Sequence, residues 1–355
     1  MGCDLSHQQR TDRLLRFFVV KPGPKFSTED VANGWIKALR HLGHDVYDWD
    51  LGQRLQFFQD GFEALRPTPP DGERQYSLQD VAINATAMLQ GAIWEYDPDV
   101  ILIMTGLYSP PSFYEIARRN GHKTVLFVTE SPYEDDRQIP QSRFVDMVVI
   151  NDTKNLDLFA EQTKAVYYGH GFDPDIHKPG LPDPDLISEF CFVGHCFPER
   201  VEFFEQVDWH DINASFAGNW IGTKTDSVIR DMLIHPVTDC ILNPDAVRLY
   251  QSSLISANIY RRQNTFEYDG HSCGPREIEL AATGIFFLRE SRPESDALFP
   301  MLPTFDSPKD FETKLRWWLA HPDERQKAAD EAREAVQHRN FTVLAEQFLS
   351  DLETL

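Results

Sequence analysis

Asp269-Gly270-His271-Ser272-Cys273-Gly274-Pro275-Arg276-Glu277-Ile278-Glu279-Leu280-Ala281-Ala282-Thr283-Gly284-Ile285-Phe286-Phe287-Leu288 reads as a glycine-rich loop, a helix with Arg276 in its first turn, and an apolar strand. Proline just inside the start and glycine just past the end are the usual terminal preferences of a helix. Upstream the same rhythm repeats. Residues 189 to 193 form an apolar strand ending at Gly194-His195, followed by a helix containing Arg200. Residues 212 to 217 lead to Gly218-Asn219-Trp220, Asn243-Pro244-Asp245 caps a helix to about 253, and 254 to 259 is a short strand. Residues 309 to 320 and 322 to 338 are amphipathic helices. Strands alternating with helices predict a parallel sheet covered on both faces.

Ahead of this half, Asp173-Pro174-Asp175-Ile176-His177-Lys178-Pro179-Gly180-Leu181-Pro182-Asp183-Pro184 is too rich in Pro and Asp to continue either helix or sheet. A second βα series precedes it. Arg16-Phe17-Phe18-Val19-Val20 stops at Lys21-Pro22-Gly23-Pro24, and Ser27-Thr28-Glu29-Asp30 caps a helix to about His41. Residues 44 to 50 are the second strand, an acidic, Pro-rich excursion follows, and 77 to 96 is expected as one helix. Asp99-Val100-Ile101-Leu102-Ile103-Met104-Thr105-Gly106 is almost wholly apolar, as a parallel strand buried on both faces must be. Residues 123 to 128 deliver Thr129-Glu130-Ser131-Pro132 to a strand end, and 145 to 150 and 165 to 168 close the series. Ligands of such doubly wound sheets bind beyond the C-terminal ends of the strands.

Composition limits the function classes. A chain of 355 residues with 41% hydrophobic residues has material for two cores, and no apolar run approaches the roughly 20 residues of a membrane span. The net charge of −22, with no basic segment, disfavours stable nucleic-acid binding. Five scattered cysteines suit reduced thiols, and the first fifteen residues lack an apolar leader, so a cytoplasmic protein is expected. Met1-Gly2-Cys3 begins the bare myristoylation pattern, which is too short to carry an assignment. The strings Asp97-Pro98-Asp99, Asp173-Pro174-Asp175 and Asp183-Pro184-Asp185 hold Pro between acids and read as turns, so no metal is expected.

The motifs His170-Gly171-Phe172-Asp173-Pro174-Asp175, Phe192-Val193-Gly194, Tyr250 through Asn258-Ile259-Tyr260, and Arg276-Glu277-Ile278-Glu279 with Gly284 together resemble the spore-maturation (CgeB-like) glycosyltransferases of the GT-B fold, relatives of the glycosyltransferase group 1 and group 4 enzymes. The resemblance is best over residues 165 to 350. It implies an α/β fold of two facing Rossmann-like doubly wound domains with a cleft between them. The expected boundaries are a 1–15 tail, a 16–172 acceptor domain, a 173–187 linker and a 188–338 nucleotide-sugar domain. Residues 339–355 form a C-terminal helix, for which packing back on the N-terminal domain is one placement.

The implied activity is transfer from a nucleotide-diphosphate sugar, a UDP-sugar among the donors, to a hydroxyl of a protein, glycan or other acceptor, metal-independent and with retention. In related retaining enzymes two glutamates lie eight positions apart and the second holds the ribose. Glu279 matches the second, whereas His271 stands at the first and departs from the pattern. The usual Arg and Lys pair is replaced by His195 after Gly194, with Arg200 and Lys224 as the nearest bases. Donor contacts are therefore expected at Gly194, Arg200, Lys224, Tyr260, His271, Gly274, Arg276 and Glu279. Breaking the bond to a diphosphate needs stabilisation of growing negative charge, for which amides at a glycine-rich helix start and the Arg276 guanidinium are suited. Glu130 is a candidate to orient or deprotonate the acceptor, His170 is the second catalytic candidate, and Lys21, Gly23 and Lys25 line the sugar loop. Alternative readings are a glycosyltransferase for modified DNA bases, a sugar-nucleotide epimerase, and a non-catalytic nucleotide-sugar-binding protein.

Overall fold

The computed structural model describes residues 14–23, 28–119, 121–238, 240–262 and 270–355. Lys25, the cap at Ser27, Asp269 and the first thirteen residues, including the Met1-Gly2-Cys3 pattern, lie outside the described residues. The chain divides into two compact units, Met1–Asn151 with Asn155–Tyr168 and Ala345–Leu355, and Asp152–Lys154 with Gly169–Leu344.

The first unit runs β1 (Arg16–Val20), α1 (Thr28–His41), β2 (Asp45–Trp49), α2 (Leu51–Leu65), α3 (Leu78–Ala87), α4 (Leu89–Tyr96), β3 (Val100–Met104), α5 (Pro111–Arg119), β4 (Lys123–Val128), α6 (Asp135–Ser142), β5 (Met147–Ile150), α7 (Leu156–Ala160) and β6 (Lys164–Tyr167). All strand pairs are parallel, in the order β2-β1-β3-β4-β5-β6. β3 is buried at every position, as its unbroken apolar run requires.

Two expectations are corrected here. The excursion after β2 contains α2, which Asp50 caps by accepting the Gln53 N–H at 2.9 Å. Leu51 and Leu55 bury the inner face of this helix, with Phe58 and Phe62 packed behind them. The 77–96 helix is two helices separated at Met88, where Thr86 Oγ1 bonds back to the Ala82 carbonyl at 2.8 Å and competes with the ladder.

In the second unit the order is β7 (Ser188–Val193), α8 (Pro198–Glu205), β8 (Ala214–Ala217), α9 (Val228–Asp231), α10 (Asn243–Gln251), β9 (Ser253–Asn258), α11 (Pro275–Thr283), β10 (Phe286–Arg289), α12 (Pro293–Leu298), α13 (Pro308–Ala320) and α14 (Pro322–Ala335). The sheet is again parallel, β10-β9-β7-β8, so the strand order reverses between β7 and β9. Phe190 and Phe192 of β7 meet Phe204 of α8 and Phe216 of β8 with ring centroids 4.8 to 6.1 Å apart. Such aromatic pairs add about 0.5–1.5 kcal/mol beyond burial and fix the strand against its helix.

The last helix, α15 (Phe341–Leu352), belongs to the first unit from Ala345 onward. Phe348 packs among Phe17, Trp35 and Phe127, while the Lys164 ammonium donates to the Asp351 carbonyl at 2.8 Å.

Two glycines in the second unit adopt left-handed backbone for different reasons. Gly284 (φ 86°) caps α11 with ordinary space around it, the nearest atom to an added Cβ being 3.4 Å away. At Gly218 (φ 106°) an added Cβ would lie 2.1 Å from the Gly194 carbonyl oxygen. Gly284→Ala is expected to cost only the conformational penalty, roughly 1–2 kcal/mol, and Gly218→Ala distinctly more; chemical denaturation of the two variants side by side checks the order.

Candidate active site

The reversal between β7 and β9 is where a doubly wound sheet opens a crevice, and the chemistry-bearing residues of the second unit gather there. β7 leads directly into Gly194, whose N–H donates to the Ala217 carbonyl at 2.9 Å. Arg276, from the first turn of α11, donates through Nε to the Val193 carbonyl at 2.9 Å and through Nη1 to Asn258 Oδ1 at 3.0 Å. Its guanidinium lies 4.8 Å over the Phe192 ring. Arg200 is 6% exposed and spends Nε and Nη2 on the Ile259 carbonyl, at 3.0 and 2.8 Å. A Cβ at Gly194 would sit 2.7 Å from Arg276 Nη2 and 3.1 Å from Arg200 Nη1. Two guanidinia therefore converge on a position that only glycine can occupy without displacing one of them. Asn258, a residue outside the sequence-predicted set, ends β9 with its amide nitrogen buried and unpartnered among the described residues.

The loop before α11 is organised differently from an open nest of amides. The His271 N–H donates to both oxygens of Asp152, at 3.1 and 3.0 Å, and the Ser272 N–H to Asp152 Oδ2 at 3.0 Å. The Cys273 N–H donates to Glu294 at 2.7 Å, and the Gly274 N–H to Glu277 at 2.8 Å. Protein carboxylates thus satisfy the amides of residues 271 to 274. What this corner offers an anion is the Arg276 side chain together with the positive end of the α11 dipole.

Glu277 is fully buried, accepts also from the Tyr260 hydroxyl and from Ser295 Oγ at 2.6 Å, and has its carboxyl pushed up by burial. Tyr260 is consequently committed to the loop scaffold, with the Arg292 guanidinium 3.5 Å over its ring. Burial also raises the Glu279 carboxyl, one turn beyond Arg276, with His177 and Arg276 pulling it back.

The remaining candidates fall into separate places. The His271 side chain is partly exposed, and Lys224 is exposed in the segment between β8 and α9. His170 is buried, and its imidazole is pushed down to about 4, by burial first, with Glu294 opposing and Arg339 and Arg292 reinforcing. Near pH 7 it is a neutral hydrogen-bonding group. In the first unit, Lys21 Nζ pairs with Glu29 at 3.0 Å, and Gly23 (φ 115°) lies where a Cβ would meet the Tyr108 ring at 2.8 Å. Glu130 is half-buried just past β4, its carbonyl accepting the Tyr133 N–H at 2.7 Å. Among the described residues no group of three or more His, Cys, Asp or Glu could hold a metal, and no helix is long and apolar enough to cross a membrane.

Residues 200–349 match a glycosyl transferase-like family model. The spore protein CgeB of Bacillus subtilis is 22% identical over 252 residues, 66% of this chain and 76% of that protein. The chain is similar to the CgeB-like glycosyltransferases, and its fold is the GT-B fold. Among solved structures it superposes on sucrose-phosphate synthase from Thermosynechococcus elongatus (TM-score 0.64, 10% identity, 96% of this chain and 99% of the other). An α,α-trehalose-phosphate synthase (UDP-forming) from Burkholderia vietnamiensis gives TM-score 0.65 at 13% identity, covering 98% and 100%. HepE of Anabaena, solved in complex with UDP-glucose, gives 0.63 at 11% identity, covering 96% and 100%.

The buried histidine, His170, has a stability signature. Its folded pKa lies below the unfolded 6.5, so the unfolded chain binds the extra proton and stability falls as pH drops from about 6.5 towards 4. His170→Gln is expected to remove about 2.4 kcal/mol of that acid sensitivity, read as the difference between urea-unfolding curves of the two proteins at pH 7 and pH 4.5.

Proposed function

We propose that this chain transfers a sugar from a nucleoside diphosphate donor, with a UDP-sugar as the leading candidate, to a hydroxyl of a protein or glycan acceptor in the cytoplasm. The observation that carries the donor reading is the convergence of Arg276 and Arg200 on Gly194 at the β7/β9 reversal, beside the α11 N-terminus. Growing charge on the departing diphosphate is met by the Arg276 guanidinium, fixed by Val193 and Asn258 before any donor arrives. Arg200 braces the turn after β9 and adds positive potential. Glu279 accepts from the ribose hydroxyls, as acidic residues do in dinucleotide folds. The UDP-glucose bound by the Anabaena relative supports uridine as the base.

On the acceptor side, Glu130 orients the attacking hydroxyl or takes its proton. The reaction is read as metal-independent, with the cationic side chain in the place of a divalent ion, and as retaining, by likeness to the enzymes that carry the second glutamate. The four described cysteines are unpaired, which fits a reducing compartment.

A thermal-shift screen of nucleoside diphosphate sugars tests the donor. A binder at a hundred times its dissociation constant should add about 2.7 kcal/mol, and the shift should survive EDTA. Failure of every donor to shift the protein would overturn the reading. With the donor in hand, Arg276→Ala is expected to lower kcat roughly 100- to 1000-fold while the variant keeps its fold. Glu130→Gln should depress transfer to the acceptor yet leave donor binding intact; equal losses in both would remove Glu130 from the acceptor role. The anomeric configuration of the first product, followed by proton NMR, decides retention.

A further inference from the structure

Arg276 is the cation placed at the proposed diphosphate, and its partners among the described residues are uncharged. Nε donates to the Val193 carbonyl at 2.9 Å, Nη1 donates to Asn258 Oδ1 at 3.0 Å, and the Phe192 ring lies 4.8 Å beneath the guanidinium. The buried Tyr250 hydroxyl is a further neighbour. Burial pushes that phenol well above its ordinary range, against the pull of Arg276, so it too is neutral near pH 7. Among the described residues no carboxylate forms an ion pair with Arg276, although its field reaches Glu279.

Asn258 is the member of this seat whose chemistry could have been otherwise. It is 2% exposed at the C-terminal end of β9. An N–H from Arg276 needs an acceptor, so Oδ1 is turned towards the guanidinium and Nδ2 away from it, beside Gly274 at the start of α11. There Nδ2 has no hydrogen-bond partner among the described residues, and a buried donor left unmade costs stability. An aspartate of the same shape would carry no orphan donor and would hold the guanidinium more strongly, but it would also cancel the charge. The amide holds the cation in place and leaves its charge whole.

We propose that Asn258 is a positioning residue that acts through its lack of charge: its amide oxygen orients Arg276 towards the diphosphate of the donor without neutralising it, and so sets the affinity for a nucleoside diphosphate. This rests on the reading of Arg276 as the group that meets the diphosphate.

UDP, GDP and ADP are titrated into the unaltered protein by calorimetry, and the tightest binder is carried through the variants, with thermal melts recording that each is folded. Asn258→Ala, which removes the acceptor, is expected to weaken binding about 5- to 10-fold, the scale of one hydrogen bond. Asn258→Asp keeps the shape and the acceptor and adds a charge; it is expected to weaken binding about 30-fold or more, and so to rank below Asn258→Ala. A role confined to holding the side chain in place gives the opposite order, because a carboxylate accepts the same hydrogen bond. Asn258→Asp binding as tightly as Asn258→Ala or more tightly, or Asn258→Ala binding as tightly as the unaltered protein, would overturn the proposal. Glu277 also borders Gly274, so a second acid there can cost folding. If Asn258→Asp does not fold, the comparison passes to Asn258→Ser, a neutral acceptor expected to bind the nucleotide more tightly than Asn258→Ala; equality or the reverse order overturns the proposal equally. Arg276→Ala separates the two levels. If that variant binds as well as the unaltered protein, or if none of the three nucleotides binds, the diphosphate reading itself fails. If Arg276→Ala loses binding while Asn258→Asp keeps it, only the role of Asn258 fails.

Discussion

A carboxylate without access to water sets the shape of the corner proposed to hold the donor. Glu277 accepts from the Gly274 amide, the Tyr260 hydroxyl and Ser295 Oγ. Burying a carboxylate is costly unless it is hydrogen-bonded, and three donors meet this one. The glycine-rich loop, the turn after β9 and α12 are therefore held to one point, and α11 begins where Arg276 can reach the end of β7. Removing any one donor would leave the others around an under-satisfied acid, so the arrangement favours being whole.

The same logic extends along the loop. Asp152 takes the amides of 271 and 272, and Glu294 takes that of 273 and pairs with Arg339. A loop that looks from its glycines like an amide cradle is in fact a scaffold saturated with protein carboxylates, so positive charge for a diphosphate is concentrated in side chains. In a chain whose net charge is −22, the acids of this loop are engaged by its amides, and Arg276 makes its hydrogen bonds to the Val193 carbonyl and Asn258 rather than to a carboxylate.

Much of the fold was legible because parallel strands covered on both faces write unbroken apolar runs, and β3 and β10 are such runs. Helix α11 was legible from Pro275 and Gly284, whose backbone preferences act locally. α2 was missed because its cap, Asp50, follows directly on a strand residue, and because Gly52 and Gly61 dilute its apolar stripe. In the site, Arg276 and Glu279 stood out by their place on a recognisable helix. Asp152 did not, since it meets its partner amides across 119 residues of sequence, and a lone acid after a strand carries no local mark of a distant partner. His177 lay inside a stretch read only as a linker. Arg200 drew attention as a base, and its hydrogen bonds to the Ile259 carbonyl, made across 59 residues, carry no mark in the local sequence.

The aromatic ring under Arg276 has a thermodynamic consequence. Phe192 is packed among Phe204, Phe216 and Trp220, which hold the plane on which the guanidinium rests, and the Val193 carbonyl and Asn258 Oδ1 stop the cation from swinging away. A flexible arginine surrenders about 0.5–1.5 kcal/mol of rotamer freedom when a ligand immobilises it. Here that freedom is lost during folding, so the proposed donor would meet a cation already at rest.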